Sequence, residues 1–140
     1  MKVLCIRHGE ACDSLSEKGK IQIKQAADIL KKHNIANNAM VFTSPLKRAV
    51  ESAKIITDNC GFKKAEVVQW LNFEESSPDY ALNQIKNLMR IHEKKFSTMI
   101  VISHAPLLEG LIEIFGNRSR IGNGEIFEID IKTRTCRRLV

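Results

Sequence analysis

The stretch CIRHGE (residues 5–10) contains the end of an apolar run, residues 3–6, and after Ile6 the chain changes from apolar to polar. The run predicts a buried strand, and in open α/β sheets ligands bind beyond the carboxyl ends of the strands. His8 offers an imidazole that can attack phosphorus, and Arg7 offers paired donors for phosphate. Gly9 lets the backbone approach a ligand closely. The same residues would also suit a strand end whose polar side chains simply face solvent, so the motif needs support from elsewhere.

Two later stretches place matching side chains where a strand passes into a helix. The segment TSPLKRA (residues 43–49) puts Arg48 in the first turn of a predicted helix, whose N-terminus favours an anion. The segment IVISHAP (residues 100–106) puts His104 at another junction of this kind. Alone, Arg48 would be read as a surface arginine and His104 as a structural histidine. Together with Arg7 and His8 they predict one anion site.

This set of segments resembles the histidine phosphatase superfamily, in its phosphoglycerate-mutase-like branch, whose signature is an Arg-His-Gly after the first strand. The segments that carry the resemblance lie in the order of the family along most of the chain; they are Arg7 to Gly9, Leu15 to Gly19, Ser44 to Ala49, and Val101 to Pro106. The resemblance implies an α/β fold, namely a three-layer α/β/α sandwich with a mostly parallel central sheet and without a large cap insertion.

The resemblance also implies a catalytic role for each residue of the set. His8 would attack the phosphoryl group and hold it as a phosphohistidine, while Arg7 and Arg48 would neutralise its oxygens. His104 would donate a further hydrogen bond, and Gly9 would let the nucleophile loop come close. None of these roles needs a metal or a cofactor, because the side chains supply the positive charge. The sequence likewise shows no cluster of magnesium or zinc ligands.

The general acid is the least clear part of the resemblance. Members of the superfamily often carry this carboxylate on the loop after the third strand, which here is the loop NFEESSP (residues 72–78). Glu74 follows Leu71 by three positions, where the family pattern has two. We favour Glu74 and place Glu75 second. Both would equally suit the charges expected just before a helix that opens at Pro78.

The hydrophobic patterns predict strands near residues 2–6, 40–43, 66–70 and 98–103, with the third continuing to Leu71, and helices between them. Ser16 and Ser77 are predicted N-caps, and Ser44 with Pro45 is predicted to open the second helix. Apolar residues alternate with polar ones over residues 127–132, which predicts a half-exposed strand. The residues from 134 to 140 are expected to return as an edge hairpin.

Length and composition favour a single domain over residues 1–140, since 44% of the residues are apolar. The net charge of +6 favours anionic partners, but scattered basic pairs with one Trp and one Tyr do not suggest a nucleic-acid surface. No apolar run is long enough to cross a bilayer. The chain starts directly on strand residues, and its four cysteines lack metal-type spacing, so we expect a cytoplasmic protein with free thiols.

Three functions remain open at this point. The length leaves no room for the insertions that close over small substrates, so the resemblance is closest to the small SixA-type phosphohistidine phosphatases, and the expected partner is a phosphorylated protein. The alternatives are a phosphomonoesterase that acts on a small phosphorylated metabolite at the same site and a non-catalytic phosphate-binding domain. The sequence assigns no role to Arg118 or Arg120, and it does not give the oligomeric state.

Overall fold

Six strands and four helices make up the computed structural model, which describes residues 1–35 and 38–140. The strands are β1 (Lys2–Arg7), β2 (Ala39–Thr43), β3 (Glu66–Val67), β4 (Thr98–Ser103), β5 (Ile126–Asp130) and β6 (Thr135–Leu139). The helices are α1 (Glu17–Lys32), α2 (Lys47–Cys60), α3 (Pro78–His92) and α4 (Ala105–Ile114).

The strands form one sheet in the order β3-β2-β4-β1-β5-β6. The first four in this order are parallel, and β5 and β6 add an antiparallel hairpin at one edge. The predicted mostly parallel sheet with a C-terminal hairpin is thus confirmed. Arg7 and Ser103 are register partners at the ends of β1 and β4. His8 and His104 therefore leave the sheet side by side at its carboxyl edge.

The central strands are apolar on both faces because helices cover both sides of the sheet. In β1, Val3 and Cys5 pack in one core with residues of α3 and α4. Leu4 and Ile6 point to the other face, into a core shared with α1 and α2. All four side chains have no solvent exposure. Alternation of side chains across the sheet thus explains why the run before the Arg-His-Gly is continuously apolar.

Two of the predicted helix starts are confirmed and one is wrong. The Ser16 hydroxyl accepts from the backbone N–H of Gly19, and the Ser77 hydroxyl accepts from that of Tyr80. The second helix, however, begins at Lys47, with Leu46 as its cap and no side-chain cap bond. Ser44 and Pro45 precede it in a loop that bends at Pro45, and the Ser44 side chain makes a tertiary contact with His104.

The third strand is shorter than the sequence predicts. It ends at Val67, and residues 69–71 form a 3₁₀ turn rather than more strand. This strand lies at the edge of the sheet. The turn buries Leu71 completely and brings Trp70 against Phe42, with ring centroids 6.4 Å apart. Burial of apolar surface therefore decides the geometry here.

The fifth strand is buried on both faces, although its alternating pattern predicts a half-exposed one. It lies inside the sheet, between β1 and β6. Its polar residue Glu128 is covered by basic side chains of the two neighbouring strands, at 3.2 Å from Lys2 and 2.6 Å from Arg137. These contacts hold the pKa of the Glu128 carboxyl below its usual value, against the opposing effect of burial. The alternating pattern of one strand does not show that side chains of the adjacent strands will cover its polar residues.

Candidate active site

Three strand ends converge on one cavity at the carboxyl edge of the sheet. The backbone N–H of His8 donates to the Ser103 carbonyl at 3.2 Å, and that of Ser44 donates to the Ile102 carbonyl at 3.0 Å. These bonds tie the ends of β1, β2 and β4 together. The cavity has a volume of about 340 Å³ and is open to solvent; it is lined by Arg7, His8, Ala11, Cys12, Arg48, Phe73, His104, Ala105 and Pro106. The structure therefore brings Arg7, His8, Arg48 and His104 together.

The His8 imidazole is held with one nitrogen available to act as a nucleophile. Its Nδ1 lies 2.8 Å from the Gly9 carbonyl oxygen, which can only accept, so Nδ1 carries the proton. Nε2 then keeps its lone pair and accepts a hydrogen bond from Arg48 Nε at 3.3 Å. Burial lowers the pKa of His8, and the charges of Arg48 and Arg7 lower it further, against the Gly9 contact. The ring is therefore neutral at pH 7.

His104 forms the opposite side of the cavity. Its ring centroid lies 5.0 Å from that of His8 and 5.1 Å from that of Phe73. The side chain is buried, and its Nε2 lies 2.8 Å from the Ser44 hydroxyl oxygen. Burial lowers its pKa to about 3, with further lowering by His8, Arg48 and Arg7. Its Nδ1 is also buried and has no hydrogen-bond partner in the described part of the chain.

The loop before β5 holds Arg7 in place. Arg7 Nη1 donates to the Ile121 carbonyl at 2.9 Å, and the side-chain amide of Asn123 donates to the His8 carbonyl at 3.1 Å. The backbone N–H of Gly124 donates to the Arg7 carbonyl at 2.9 Å. Sequence reasoning missed this loop. Its Asn-Gly pair signals a turn, but nothing in the residue types shows that the turn closes on β1.

Two buried nitrogens at the site, Arg7 Nε and His104 Nδ1, have no partner among the described residues. A buried polar group without a hydrogen bond costs about 1–3 kcal/mol. Both residues line the cavity, and the guanidinium groups there suit an oxyanion.

A second glycine explains why residues 15–19 belong to the motif. A Cβ on Gly9 would come within 2.5 Å of the Gly19 carbonyl oxygen, and one on Gly19 would overlap the Glu10 carbonyl. The nucleophile loop thus packs directly on the first turn of α1. The Gly9 backbone N–H also donates to the Ser52 hydroxyl on α2 at 3.1 Å. Two helices therefore fix the backbone that carries His8.

The remaining candidates lie outside this cavity. Glu74 and Glu75 are exposed on the loop of residues 72–78, and neither lines the cavity. The Glu74 backbone N–H donates to Asn72 Oδ1 at 3.2 Å. Arg118 and Arg120 are exposed as well, and Arg118 Nε lies 3.9 Å from a Glu113 carboxylate oxygen. The loop places Phe73 rather than a carboxylate against His104.

A larger groove, of about 460 Å³, lies beside α2 and the edge strand β3. Its lining is mainly apolar or paired, and its Lys54 and Asp58 bind each other at 3.1 Å. It contains neither a histidine nor an arginine. Size alone therefore does not mark the functional site, whereas the chemistry of the smaller cavity does.

Two guanidinium groups and two neutral imidazoles surround the smaller cavity, and its lining includes no carboxylate among the residues that the structure describes. Groups of three or more His, Cys, Asp or Glu that could hold a metal are likewise not found in residues 1–35 and 38–140. Arginine forks suit the oxygens of a tetrahedral oxyanion. The fold and the site together define a protein whose cavity suits a phosphoryl group beside an imidazole.

The family model of the histidine phosphatase superfamily (branch 1) matches residues 3–95, and the chain belongs to this superfamily. It is therefore a metal-independent phosphatase, and the guanidinium groups of Arg7 and Arg48 line its site. A search of curated protein sequences finds no match. In residues 1–35 and 38–140, no helix has both the length and the apolar content to cross a membrane.

Solved structures of related phosphatases share the fold over nearly the whole chain. The protein histidine phosphatase SixA complexed with tungstate is 22% identical, with a TM-score of 0.78, and the match covers 99% of this chain and 94% of that one. A mutant phosphoserine phosphatase from Entamoeba histolytica in complex with phosphoserine is 19% identical, with a TM-score of 0.73 and coverages of 99% and 95%. The mycobacterial glucosyl-3-phosphoglycerate phosphatase is 14% identical, with a TM-score of 0.69 and coverages of 98% and 96%. These matches confirm the three-layer α/β fold.

Proposed function

We propose that this phosphatase removes the phosphoryl group from phosphohistidine on a partner protein, through a phosphohistidine intermediate on His8. The observation that carries the proposal is the state of His8. Its proton is fixed on Nδ1 by the Gly9 carbonyl, and its unprotonated Nε2 accepts from Arg48 in a cavity that two arginines line. An imidazole held this way attacks phosphorus without first having to lose a proton.

The reaction takes two displacements. In the first, the Nε2 lone pair of His8 forms a bond to phosphorus, the bond from phosphorus to the substrate nitrogen breaks, and the departing imidazole keeps a proton. In the second, a water oxygen attacks the phosphorus, its proton is lost to solvent or a base, and the P–Nε2 bond breaks to release inorganic phosphate. Arg7 and Arg48 neutralise the phosphoryl oxygens in both steps.

The proposed substrate follows from the leaving group that the site can handle. No carboxylate among the described residues lines the cavity, so no acidic group lies in place to protonate a poor leaving group. An alkoxide needs such a proton, whereas the imidazole of phosphohistidine can already carry one. The cavity is also open, which suits a side chain on a folded protein. The similar structure named as a protein histidine phosphatase fits this choice.

A small-molecule phosphomonoesterase is the second candidate, and one observation favours it. Glu74 lies next to Phe73, which does line the cavity, so the loop that borders the site carries a carboxylate. The similar structures include phosphatases named for phosphoserine and for a sugar-linked phosphoglycerate. A non-catalytic phosphate-binding domain is less well supported, because the nucleophile and both arginines are all in place.

A comparison of substrates tests the proposal. We expect kcat/KM on a protein carrying phosphohistidine to exceed that on phosphoserine or a sugar phosphate by about 100-fold or more, because of the leaving group. An aryl phosphate, which has a good leaving group, serves as the positive control. Higher values on the sugar phosphate would make the protein a phosphomonoesterase. If the protein bound inorganic phosphate but turned over none of these substrates, it would be a non-catalytic phosphate-binding domain.

Glu74→Gln should separate the two leaving groups. If Glu74 is the general acid for esters, its loss should lower kcat on a phosphate ester by about 10²–10⁴-fold and on phosphohistidine much less. Both rates are measured on the same preparation, and Glu75→Gln is the matched control. Equal losses on both substrates would mean that Glu74 positions water instead. If Glu74→Gln kept the wild-type rates and Glu75→Gln lost activity, Glu75 would be the general acid. If both variants kept the wild-type rates, neither carboxylate would take part.

A further inference from the structure

We propose that Ser44 is a positioning residue that fixes the proton of His104 on Nδ1, so that this nitrogen donates to a bound phosphoryl group. The inference extends the function proposed above, since it concerns the same phosphate site. It depends on the hydrogen bonds of one buried hydroxyl. The Ser44 side chain has no solvent exposure, and its oxygen lies 2.8 Å from His104 Nε2 and 3.2 Å from the Leu46 backbone nitrogen.

The Leu46 contact limits what this hydroxyl can do. The backbone N–H of Leu46 only donates, so the Ser44 oxygen accepts there. If the hydroxyl then donates to His104 Nε2, its one proton and one of its lone pairs are both used. If His104 Nε2 donated instead, the Ser44 proton would need another acceptor. None is found among the described residues, and an unsatisfied buried donor costs about 1–3 kcal/mol. The first arrangement is therefore favoured.

The state of His104 follows from this direction of donation. Burial keeps the imidazole neutral, so the ring carries one proton. An Nε2 that accepts from Ser44 leaves that proton on Nδ1. Nδ1 is the nitrogen that is buried and has no partner in the described part of the chain. The same ring in the other tautomer would present a lone pair at Nδ1, which would repel a phosphoryl oxygen.

The Ser44 backbone is anchored to the strand that delivers His104. Its N–H donates to the Ile102 carbonyl at 3.0 Å, and its own carbonyl accepts from Thr43 Oγ1 at 3.1 Å. The His8 and Phe73 rings pack edge-on against the His104 ring. Ser44 thus approaches a ring that is already held in place. It stands where the sequence favours a helix cap, yet Leu46 caps α2 without a side-chain bond.

Long-range ¹H–¹⁵N NMR of the histidine rings tests the proposal directly, because the nitrogen shifts report which nitrogen holds the proton. In the wild-type protein without ligand, we expect His104 to be protonated on Nδ1. This measurement needs no variant and no turnover, so it remains decisive even if the phosphatase prefers another substrate or proves inactive. A wild-type His104 protonated on Nε2 would overturn the proposal.

Ser44→Ala provides the second test. We expect the His104 signals to move toward the Nε2-protonated form, and inorganic phosphate to bind about 10-fold more weakly, which corresponds to the loss of about one hydrogen bond. Ser44→Thr keeps the hydroxyl and should restore the wild-type tautomer. Ser103→Ala is the matched control, since that buried hydroxyl donates to the Leu71 carbonyl at 2.5 Å. It should lower stability and leave the His104 tautomer unchanged. An unchanged tautomer and phosphate affinity in Ser44→Ala would refute the role of Ser44.

Discussion

His8→Ala should abolish turnover of every substrate, with kcat reduced by about 10⁴-fold or more, because the proposed covalent intermediate forms on its Nε2. The loss should be as large on an aryl phosphate as on phosphohistidine, since both substrates pass through the same bond to Nε2. This distinguishes a nucleophile from a general acid, whose removal matters most for poor leaving groups. Rates on the two substrates, measured at saturation, check the expectation.

The intermediate itself should be visible in the wild-type protein. Quenching a reaction with radiolabelled substrate should leave a phosphoryl group on the protein that is labile in acid and stable in base, as expected for a bond from phosphorus to nitrogen. His8→Ala should carry no label. His92→Ala is a suitable control, because His92 lies at the end of α3, packs against Phe96 and does not line the cavity. A label that persists in His8→Ala would place the nucleophile elsewhere, with His104 as the next residue to examine.

The positions of the four charged or titratable groups could be predicted because each directly follows a recognisable strand or starts a helix. The run of residues 99–102 is apolar at every position, which is typical of a strand covered on both faces. Once two such strands are parallel neighbours, the residues after them must be close. His8 and His104 follow from this geometry, although 96 positions along the chain separate them.

The errors arose where a tertiary contact overrides a local rule. Ser44 has the residue type and the neighbouring proline of a helix cap, but its hydroxyl forms a hydrogen bond with His104, 60 residues along the chain. Local preference assigns Leu71 to the strand that begins at Glu66. In the structure Leu71 instead ends a 3₁₀ turn, which buries its side chain in the core. The Arg7 side chain donates to the Ile121 carbonyl, which is a backbone group. The residue types in this loop therefore could not predict the contact.

The place of Glu74 shows a different limit. Loop composition indicates that carboxylates are near the site, but it does not say which side chain of the loop turns inward. In the structure this is Phe73, which packs edge-on against His104. The backbone conformation of the loop decides which side chain turns inward. That conformation depends on local contacts such as the one between the Glu74 N–H and the Asn72 side chain. The assignment of the general acid therefore remains a prediction for the leaving-group experiment.

Arg48→Ala should lower kcat by about 10³–10⁵-fold, the range found when an arginine that stabilises a transferring phosphoryl group is removed. Arg48 donates to His8 Nε2 in the free protein, at 3.3 Å. Once that nitrogen attacks, the lone pair is lost to phosphorus, and the guanidinium is free to bind the phosphoryl oxygens beside it. Arg48→Lys retains the charge without the planar fork, so we expect a smaller loss, of about 10²-fold.

The pH profile of Arg48→Ala should identify the contact with His8. Burial is the main cause of the low pKa of His8, and the charge of Arg48 lowers it further. Removing that charge makes protonation of His8 easier, so its pKa rises. Since protonated His8 cannot attack, the acid limb of kcat/KM should move to higher pH in Arg48→Ala and stay near its wild-type position in Arg48→Lys. Lys47→Ala, which removes an exposed neighbouring cation that does not line the cavity, is the control. An acid limb that stays in place in Arg48→Ala, or one that moves equally in Lys47→Ala, would mean that Arg48 acts through the general field of the protein and not through its contact with the nucleophile.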